Sequence, residues 1–183
     1  VIDPATNATD ATSLTVPDGN FKWDGIAYDP VTGRLFGAPY SADAVLVIDP
    51  ATNETNGISL AVPSGNYKWS TIAHDPATGM LFAPPNNYGA VLIVDPVRLA
   101  VDFTSLVTPA NGNLYYGIVH DPATGRLFAA PDNADAVLVV ETTDHQTRIE
   151  QLELANEEQS TMVVQQSAQI AELAAAVSSL RAA

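Results

Sequence analysis

The chain has no cysteine, which excludes disulfide bridges, thiolate catalysis and zinc sites built on cysteine. It is also poor in basic residues: seven Lys and Arg stand against 21 Asp and Glu, and the formal net charge is −14. An acidic surface repels phosphate backbones, so we do not expect nucleic acid as a partner. No apolar run approaches the roughly 18 residues of a membrane-spanning helix, so no membrane span is expected.

Two parts of the chain differ in what they lack. Residues 141–183 contain no Pro, Gly, Phe, Trp or Tyr, whereas residues 1–140 contain all 13 prolines and all 11 glycines. Pro and Gly mark turns, and the tail is instead rich in Ala, Gln, Glu and Ser. The sequence therefore predicts two domains, residues 1–140 and residues 141–183.

A 46-residue unit occurs three times in the first domain without insertion or deletion. The units are Ile2–Val47, Ile48–Ile93 and Val94–Val139, and 16 positions are identical in all three. A fixed period of this size is the signature of a repeat architecture. The repeat, rather than any single motif, therefore decides the expected fold.

Each unit is expected to form four short β-strands separated by turns. In the second unit the predicted strands are Ile58–Val62, Lys68–His74, Met80–Ala83 and Ala90–Val94. The motif Asp-Pro-Ala-Thr-Gly at 75–79 predicts a tight hairpin, because Pro fixes φ near −65° and Gly accepts a positive φ. A second Asp-Pro turn at 49–53 is expected to join two further strands. Four strands in a unit of this length are typical of a β-propeller blade, with a β-solenoid as the alternative.

The units resemble propeller repeats that are common in proteins of algae, other protists and their large viruses. The resemblance rests on residues 22–26 (KWDGI), 29–39 (DPVTGRLFGAP) and 45–50 (VLVIDP). The third unit departs from this pattern, with Leu114-Tyr115-Tyr116 in place of Lys-Trp. The resemblance implies an all-β fold of three four-stranded propeller blades, and it implies no catalytic residue.

Three blades are fewer than the four to eight that typically close a propeller. Each end of the array would leave an apolar blade face and a strand edge uncovered, and such edges promote aggregation. Two chains would supply six blades. We therefore expect either that the ring is completed between chains or that the natural chain carries more repeats.

The tail has a heptad pattern that predicts an α-helical coiled coil, with a lone amphipathic helix as the alternative. The seam residues are Ile149, Asn156, Val163, Ile170 and Val177 at position a, and Leu152, Leu173 and Leu180 at position d. Ile or Val at a with Leu at d, and one Asn at a, favour a parallel dimer. Two Gln at successive d positions would also suit a trimer. The expected partner is therefore a second copy of the chain, with the dimer ahead of the trimer.

A repeated aromatic position provides the candidate ligand-binding residues. These are the equivalent Trp23, Trp69 and Tyr115, the adjacent Lys22 and Lys68, and Tyr40 and Tyr88 on longer loops. Exposed rings can stack on sugars, and packing between blades is the alternative role for the same position.

The repeated His and Asp positions favour structure over chemistry. His74 and His120 are matched by Tyr28, which does not suit a metal site. Asp29 and its two equivalents precede Pro in a hairpin, where Asp caps the turn. We therefore expect no metal, no cofactor and no enzymatic activity.

Asn7 and Asn53 lie in N-glycosylation acceptor motifs at equivalent turns, which favours an extracellular, cell-surface or virion setting. The sequence predicts a non-enzymatic structural or adhesive assembly protein, such as a component of a surface appendage, fibre or virion. The alternative is a propeller that binds glycans or a surface protein on its rim. A calcium-dependent enzyme is the third hypothesis.

Overall fold

The protein is mostly β-structure with one short helical segment in the part of the chain that the structure describes. This computed structural model describes residues 2–3, 8–108, 112, 114–142, 159–167 and 169–170. The chain divides into two units, Val1–Thr142 and Thr143–Ala183. The described strands all pair antiparallel, so the all-β prediction for the repeats is confirmed.

Four sheets follow one another along the first unit, and neighbouring strands in each sheet are consecutive in the chain. The small sheet contains β1 (Ile2–Asp3) and β2 (Ala8–Thr9). The first sheet contains β3 (Trp23–Tyr28), β4 (Leu35–Pro39), β5 (Ala44–Asp49) and β6 (Glu54–Ala61). The middle sheet contains β7 (Ala73–His74), β8 (Leu81–Ala83), β9 (Leu92–Asp95) and β10 (Ala100–Asp102). The last sheet contains β11 (Tyr115–Asp121), β12 (Arg126–Pro131) and β13 (Leu138–Glu141).

The Asp-Pro-x-Thr-Gly motif forms the hairpin that the sequence predicts. Between β3 and β4, the Asp29 carboxylate accepts hydrogen bonds from the Thr32 hydroxyl at 2.5 Å and the Thr32 N–H at 2.8 Å. The Gly33 N–H donates to the Asp29 carbonyl at 3.0 Å, and Gly33 has a φ of 72°. The Gly-to-Asp bond and the positive φ recur in the other two hairpins. The turn that begins at Asp49 joins β5 to β6, as expected.

One predicted strand is much shorter than expected. Residues 68–74 form only a bridge between Trp69 and Pro85 and the two-residue strand β7. Thr71 interrupts the ladder because its φ is 49°, a left-handed conformation that β-branched residues avoid. At the equivalent position the first sheet has Gly25, which takes a φ of 66° inside a bulge, so β3 continues through it.

The first, middle and last sheets stack in chain order with an apolar core in each of the two contacts. Phe36 and Val45 of the first sheet share a core cluster with Leu92 of the middle sheet. Val91 of the middle sheet shares a second cluster with Leu127 of the last sheet. We call the face of a sheet that points toward the next sheet in the chain its forward face, and the opposite one its rear face.

In the second unit, residues 159–167 and 169–170 are helical, which includes the seam residues Val163 and Ile170. Both are exposed, and they lie about two helical turns apart on one side of the helix. The other seam residues lie outside the described residues: Ile149, Leu152, Asn156, Leu173, Val177 and Leu180. The coiled coil therefore stays a prediction. No helix among the described residues is long and apolar enough to cross a membrane.

Candidate functional site

Backbone hydrogen bonds between neighbouring sheets hold the loop after one sheet's second strand against the start of the next sheet. The Lys68 N–H donates to the Tyr40 carbonyl at 2.8 Å, and the equivalent bond between the middle and last sheets is 2.9 Å. The first strands also approach closely here, because a Cβ on Gly25 would lie 2.5 Å from the Thr71 Cα. Only glycine fits at that position. The sheets are therefore fixed against one another at this end.

Four aromatic side chains meet at this end, in the order Phe21, Tyr67, Tyr40 and Tyr116. Phe21 and Tyr67 precede the first strands of the first and middle sheets, Tyr40 lies in the loop after β4, and Tyr116 lies in β11. Successive ring centroids are 6.4, 5.0 and 6.3 Å apart, with interplanar angles of 67, 52 and 69°. The Tyr40 and Tyr116 hydroxyls are hydrogen-bonded at 2.9 Å. Phe21, Tyr67 and Tyr116 are exposed to solvent. We call these four side chains the aromatic row.

Two members of the row have strained backbone. Phe21 has a φ of 49° and Tyr67, at the equivalent repeat position, has a φ of 58°. Bulky residues rarely adopt this region, and each such residue costs on the order of 1–3 kcal/mol. The Ser41 N–H donates a hydrogen bond to the Phe21 carbonyl at 3.0 Å, and the Asn87 N–H donates one to the Tyr67 carbonyl at 2.7 Å. The same strained arrangement is thus built twice.

The surroundings of the row keep the Tyr40 hydroxyl neutral. Burial raises the pKa of Tyr40 well above its usual value, and the Tyr116 hydroxyl and the Asp24 carboxylate raise this pKa further. Tyr40 therefore offers a neutral hydroxyl group, able to donate and to accept hydrogen bonds.

The structure buries two of the five predicted ligand-binding aromatic residues. Trp69 and Tyr115 are buried. The Trp69 indole N–H donates to the Ala90 carbonyl at 2.8 Å, and its ring packs on Tyr88 with centroids 4.4 Å apart. Trp23 is half-buried and makes the equivalent indole bond, also at 2.8 Å. A buried ring has no free face, so Trp69 and Tyr115 take the packing role that the sequence left open.

The two predicted lysines bind backbone carbonyl groups. Lys68 is buried, and its Nζ donates to the carbonyls of Ala42 and Gly65, both at 2.8 Å. Burial lowers the pKa of Lys68. The Lys22 Nζ donates to the Pro17 carbonyl at 2.6 Å. Both ammonium groups therefore have backbone partners.

Of the predicted ligand residues, Tyr40 alone belongs to the aromatic row. Sequence reasoning missed Phe21, Tyr67 and Tyr116. One signal was present, because Phe21 and Tyr67 occupy the same repeat position and both precede the Lys-Trp pair. Tyr116 could not be found in this way, since its position holds Asp or Ser in the other two units.

A histidine of one sheet faces the aspartate turn of the sheet before it. The His74 Nε2 lies 3.4 Å from the Asp29 Oδ1, and the His120 Nε2 lies 3.4 Å from the Asp75 Oδ1. Both aspartates are fully buried. Burial alone would raise the pKa of Asp29, but hydrogen bonds, chiefly from Thr32, hold it below its usual value. These groups belong to the contact between sheets.

On the two outer faces of the array, apolar residues are exposed whose equivalents in the other sheets are buried between sheets. Val137, on the forward face of the last sheet, is 53% exposed, whereas its equivalents Val45 and Val91 are 0% and 2% exposed. Ile26, on the rear face of the first sheet, is 52% exposed, and its equivalent Ile72 is 6% exposed. The residue type is the same in each comparison, so the covering sheet makes the difference.

The Asp–His contact is also open at both outer faces. Tyr28 takes the histidine position on the rear face of the first sheet, where it is exposed. Asp121 takes the aspartate position on the last sheet, and it is only partly buried. Among the described residues, no histidine of a following sheet forms an ion pair with Asp121.

A cleft of about 500 Å³ lies beside the first sheet, lined mainly by polar residues of the β5–β6 turn and of residues 13–15. Within it, the Arg34 Nε and the Asp49 Oδ2 are 3.1 Å apart. No group of three or more His, Cys, Asp or Glu side chains that could hold a metal ion occurs in the described part of the chain.

One of the two predicted glycosylation sites can be placed. Asn53 is exposed in the β5–β6 turn with a φ of 57°. The Thr55 hydroxyl of the same motif donates to the Thr15 carbonyl. Asn7 lies outside the described residues. Modification at these two positions stays a prediction.

Comparisons with known proteins give no family. No family model matches the chain, and no curated protein matches it. Hydrazine synthase from Kuenenia stuttgartiensis has 16% identity and a TM-score of 0.49, over 66% of this chain and 34% of that one. An auxiliary nutrient binding protein from Bacteroides thetaiotaomicron has 16% identity and a TM-score of 0.44, over 63% of this chain and 33% of that one. The matches span about a third of each of those proteins, and the resemblance to propeller repeats stays a prediction.

Proposed function

We propose that this protein is a non-enzymatic structural or adhesive assembly protein of the β-propeller type. Its stacked sheets act as blades, and copies of the chain cover one another's outer faces. The helical tail joins subunits as a coiled coil, in a surface appendage, fibre or virion. The exposure of Val137 and Ile26, at positions that are buried between sheets, is the observation that carries this proposal.

An outer face of this kind favours association because a sheet with two apolar faces needs cover on both. Fully burying one Val or Ile side chain contributes about 1.5–3 kcal/mol, so covering several of them stabilises a contact between chains. The forward face of the last sheet and the rear face of the first sheet are complementary through the repeat. Docking one on the other reproduces a contact that the chain already makes twice.

The two outer faces also carry polar groups that can pair with each other. In the docked arrangement, Asp121 of one chain would face Tyr28 of the next, at the repeat position where Asp29 faces His74. A tyrosine hydroxyl donates a hydrogen bond to a carboxylate and needs no proton uptake to do so. The replacement of His by Tyr in the first unit is therefore compatible with the contact.

Such a contact joins two different faces of the same chain type, so repeating it produces a closed ring or an open filament. Two chains would give a ring of six blades, which lies within the usual range of four to eight. The exposed Val163 and Ile170, on one side of the helix, support a second contact between chains through the tail.

The mass of the full chain under native conditions tests the proposal. We expect the wild-type protein to be an oligomer. Val137→Asp should abolish the contact between the outer sheets of two chains, because that contact would bury an unpaired charge. Ile170→Asp should remove the contact between tails. The double variant should therefore be a monomer, while each single variant keeps one contact.

Val97→Asp is the matched control, because Val97 is also exposed, at 66%, and lies in the β9–β10 turn away from both outer faces. This variant should keep the wild-type mass. A monomeric wild-type protein, or a Val137→Asp, Ile170→Asp double variant that keeps the wild-type mass, would contradict the proposal.

A further inference from the structure

We propose that the aromatic row is a binding platform for a neutral oligosaccharide. This inference rests on the arrangement of Phe21, Tyr67, Tyr40 and Tyr116. It does not depend on contacts between chains, because all four side chains meet within one chain.

Folding alone does not account for the row. Phe21 is 71% exposed, so burial of its ring stabilises the fold little, while its left-handed backbone costs stability. Tyr67 repeats this combination of exposure and strain. Strained backbone conformations cluster at ligand-binding positions, where the strain fixes a side chain in its binding position before the ligand arrives.

The chemistry of the row selects a neutral ligand that has both apolar and hydroxylated surface. Aromatic rings stack on the C–H faces of sugar rings. In the hydroxyl pair of Tyr40 and Tyr116, one O–H donates to the other oxygen, so the second O–H can bond a sugar hydroxyl. Anionic ligands are disfavoured by the acidic chain and by the engagement of Lys22 and Lys68 with backbone carbonyls.

The spacing of the rings argues against a cage for an organic cation. A cage surrounds its ligand with rings, whereas neighbouring rings of the row have centroids only 5.0–6.4 Å apart and contact each other. Four rings in succession can contact several sugars of an extended chain, whereas one small ligand would contact only one or two of them.

Titration calorimetry of the full chain with four neutral hexasaccharides tests the inference: cellohexaose, N-acetylchitohexaose, laminarihexaose and mannohexaose. We expect binding of at least one. Phe21→Ala and Tyr67→Ala should each weaken that binding about tenfold, as removal of an aromatic anchor does at other interfaces. Tyr67→Phe keeps the ring and should bind like the wild-type protein.

Val97→Ala is the control, since it removes an exposed apolar side chain outside the row and away from both outer faces, and it should leave hexasaccharide affinity unchanged. Thermal unfolding of each variant shows that the fold is kept. Binding to none of the four sugars, equal affinity of Phe21→Ala and the wild-type protein, or binding of tetramethylammonium alone would overturn the inference. Native mass is measured separately, so failure here leaves the assembly proposal standing.

Discussion

The middle sheet and the last sheet have nearly the same apolar pattern, yet only the middle sheet is covered on both faces. Phe82 and Val91, on the forward face of the middle sheet, are each 2% exposed. Their equivalents on the last sheet, Phe128 and Val137, are half-buried and exposed. The repeat unit therefore specifies a sheet with two interfaces, and the neighbouring sheet determines whether those interfaces are buried.

The largest effect should separate the two tryptophans, which are equivalent in sequence but differ in cover. Trp69→Ala removes a fully buried ring and should lower the free energy of unfolding by about 3–5 kcal/mol. Trp23→Ala, on the less covered first sheet, should cost clearly less. Urea unfolding followed by circular dichroism measures both values. Equal losses would contradict this prediction, because they would show that the first sheet is as well covered as the middle one.

Much of the fold could be predicted from the sequence because its determinants are local. The Asp29 turn forms its hydrogen bonds within the six residues from Asp29 to Arg34, and its motif occurs three times in the chain. The strand predicted at 68–74 was wrong in its length, because a single residue, Thr71, adopts a left-handed conformation there. Nothing in the strand propensity of threonine indicates this conformation.

The candidate site was less predictable because it depends on contacts between sheets. Tyr40 and Tyr116 are 76 positions apart and come together only when the first and last sheets both approach the middle one. Trp69 had the stronger sequence signal, yet it packs in the core. A repeated aromatic residue therefore identifies a position in the array, and its exposure follows from the packing around it.

Acid should destabilise the buried contact between the first and middle sheets. The pKa of Asp29 is lower in the folded protein than the usual value of about 4, so the unfolded chain binds the proton more readily. The stability that this carboxylate contributes is therefore present above about pH 4 and is lost as the pH falls through the folded pKa. We expect Asp29→Asn to lose less stability than the wild-type protein on acidification, as measured by urea unfolding at several pH values.

Asp135→Asn is the control for this experiment, because Asp135 is exposed in the loop between β12 and β13. It should follow the wild-type pH dependence. If the stability of Asp29→Asn falls with pH as that of the wild-type protein does, the Asp29 carboxylate does not contribute to acid sensitivity.

The smallest expected effect is a gain in stability at Thr71, where the middle sheet departs from its neighbours. Gly occupies this position in the first and third units, and Thr71 has both a φ of 49° and a buried hydroxyl without a hydrogen-bond partner among the described residues. Thr71→Gly relieves the strain and removes the unpaired hydroxyl, at the cost of greater freedom in the unfolded chain. We expect a net gain of roughly 1 kcal/mol in the free energy of unfolding. Gly25→Ala is the opposite test, because its Cβ would meet the Thr71 Cα at 2.5 Å and should destabilise the protein. A loss of stability in Thr71→Gly would mean that contacts of the threonine side chain outweigh its strained backbone.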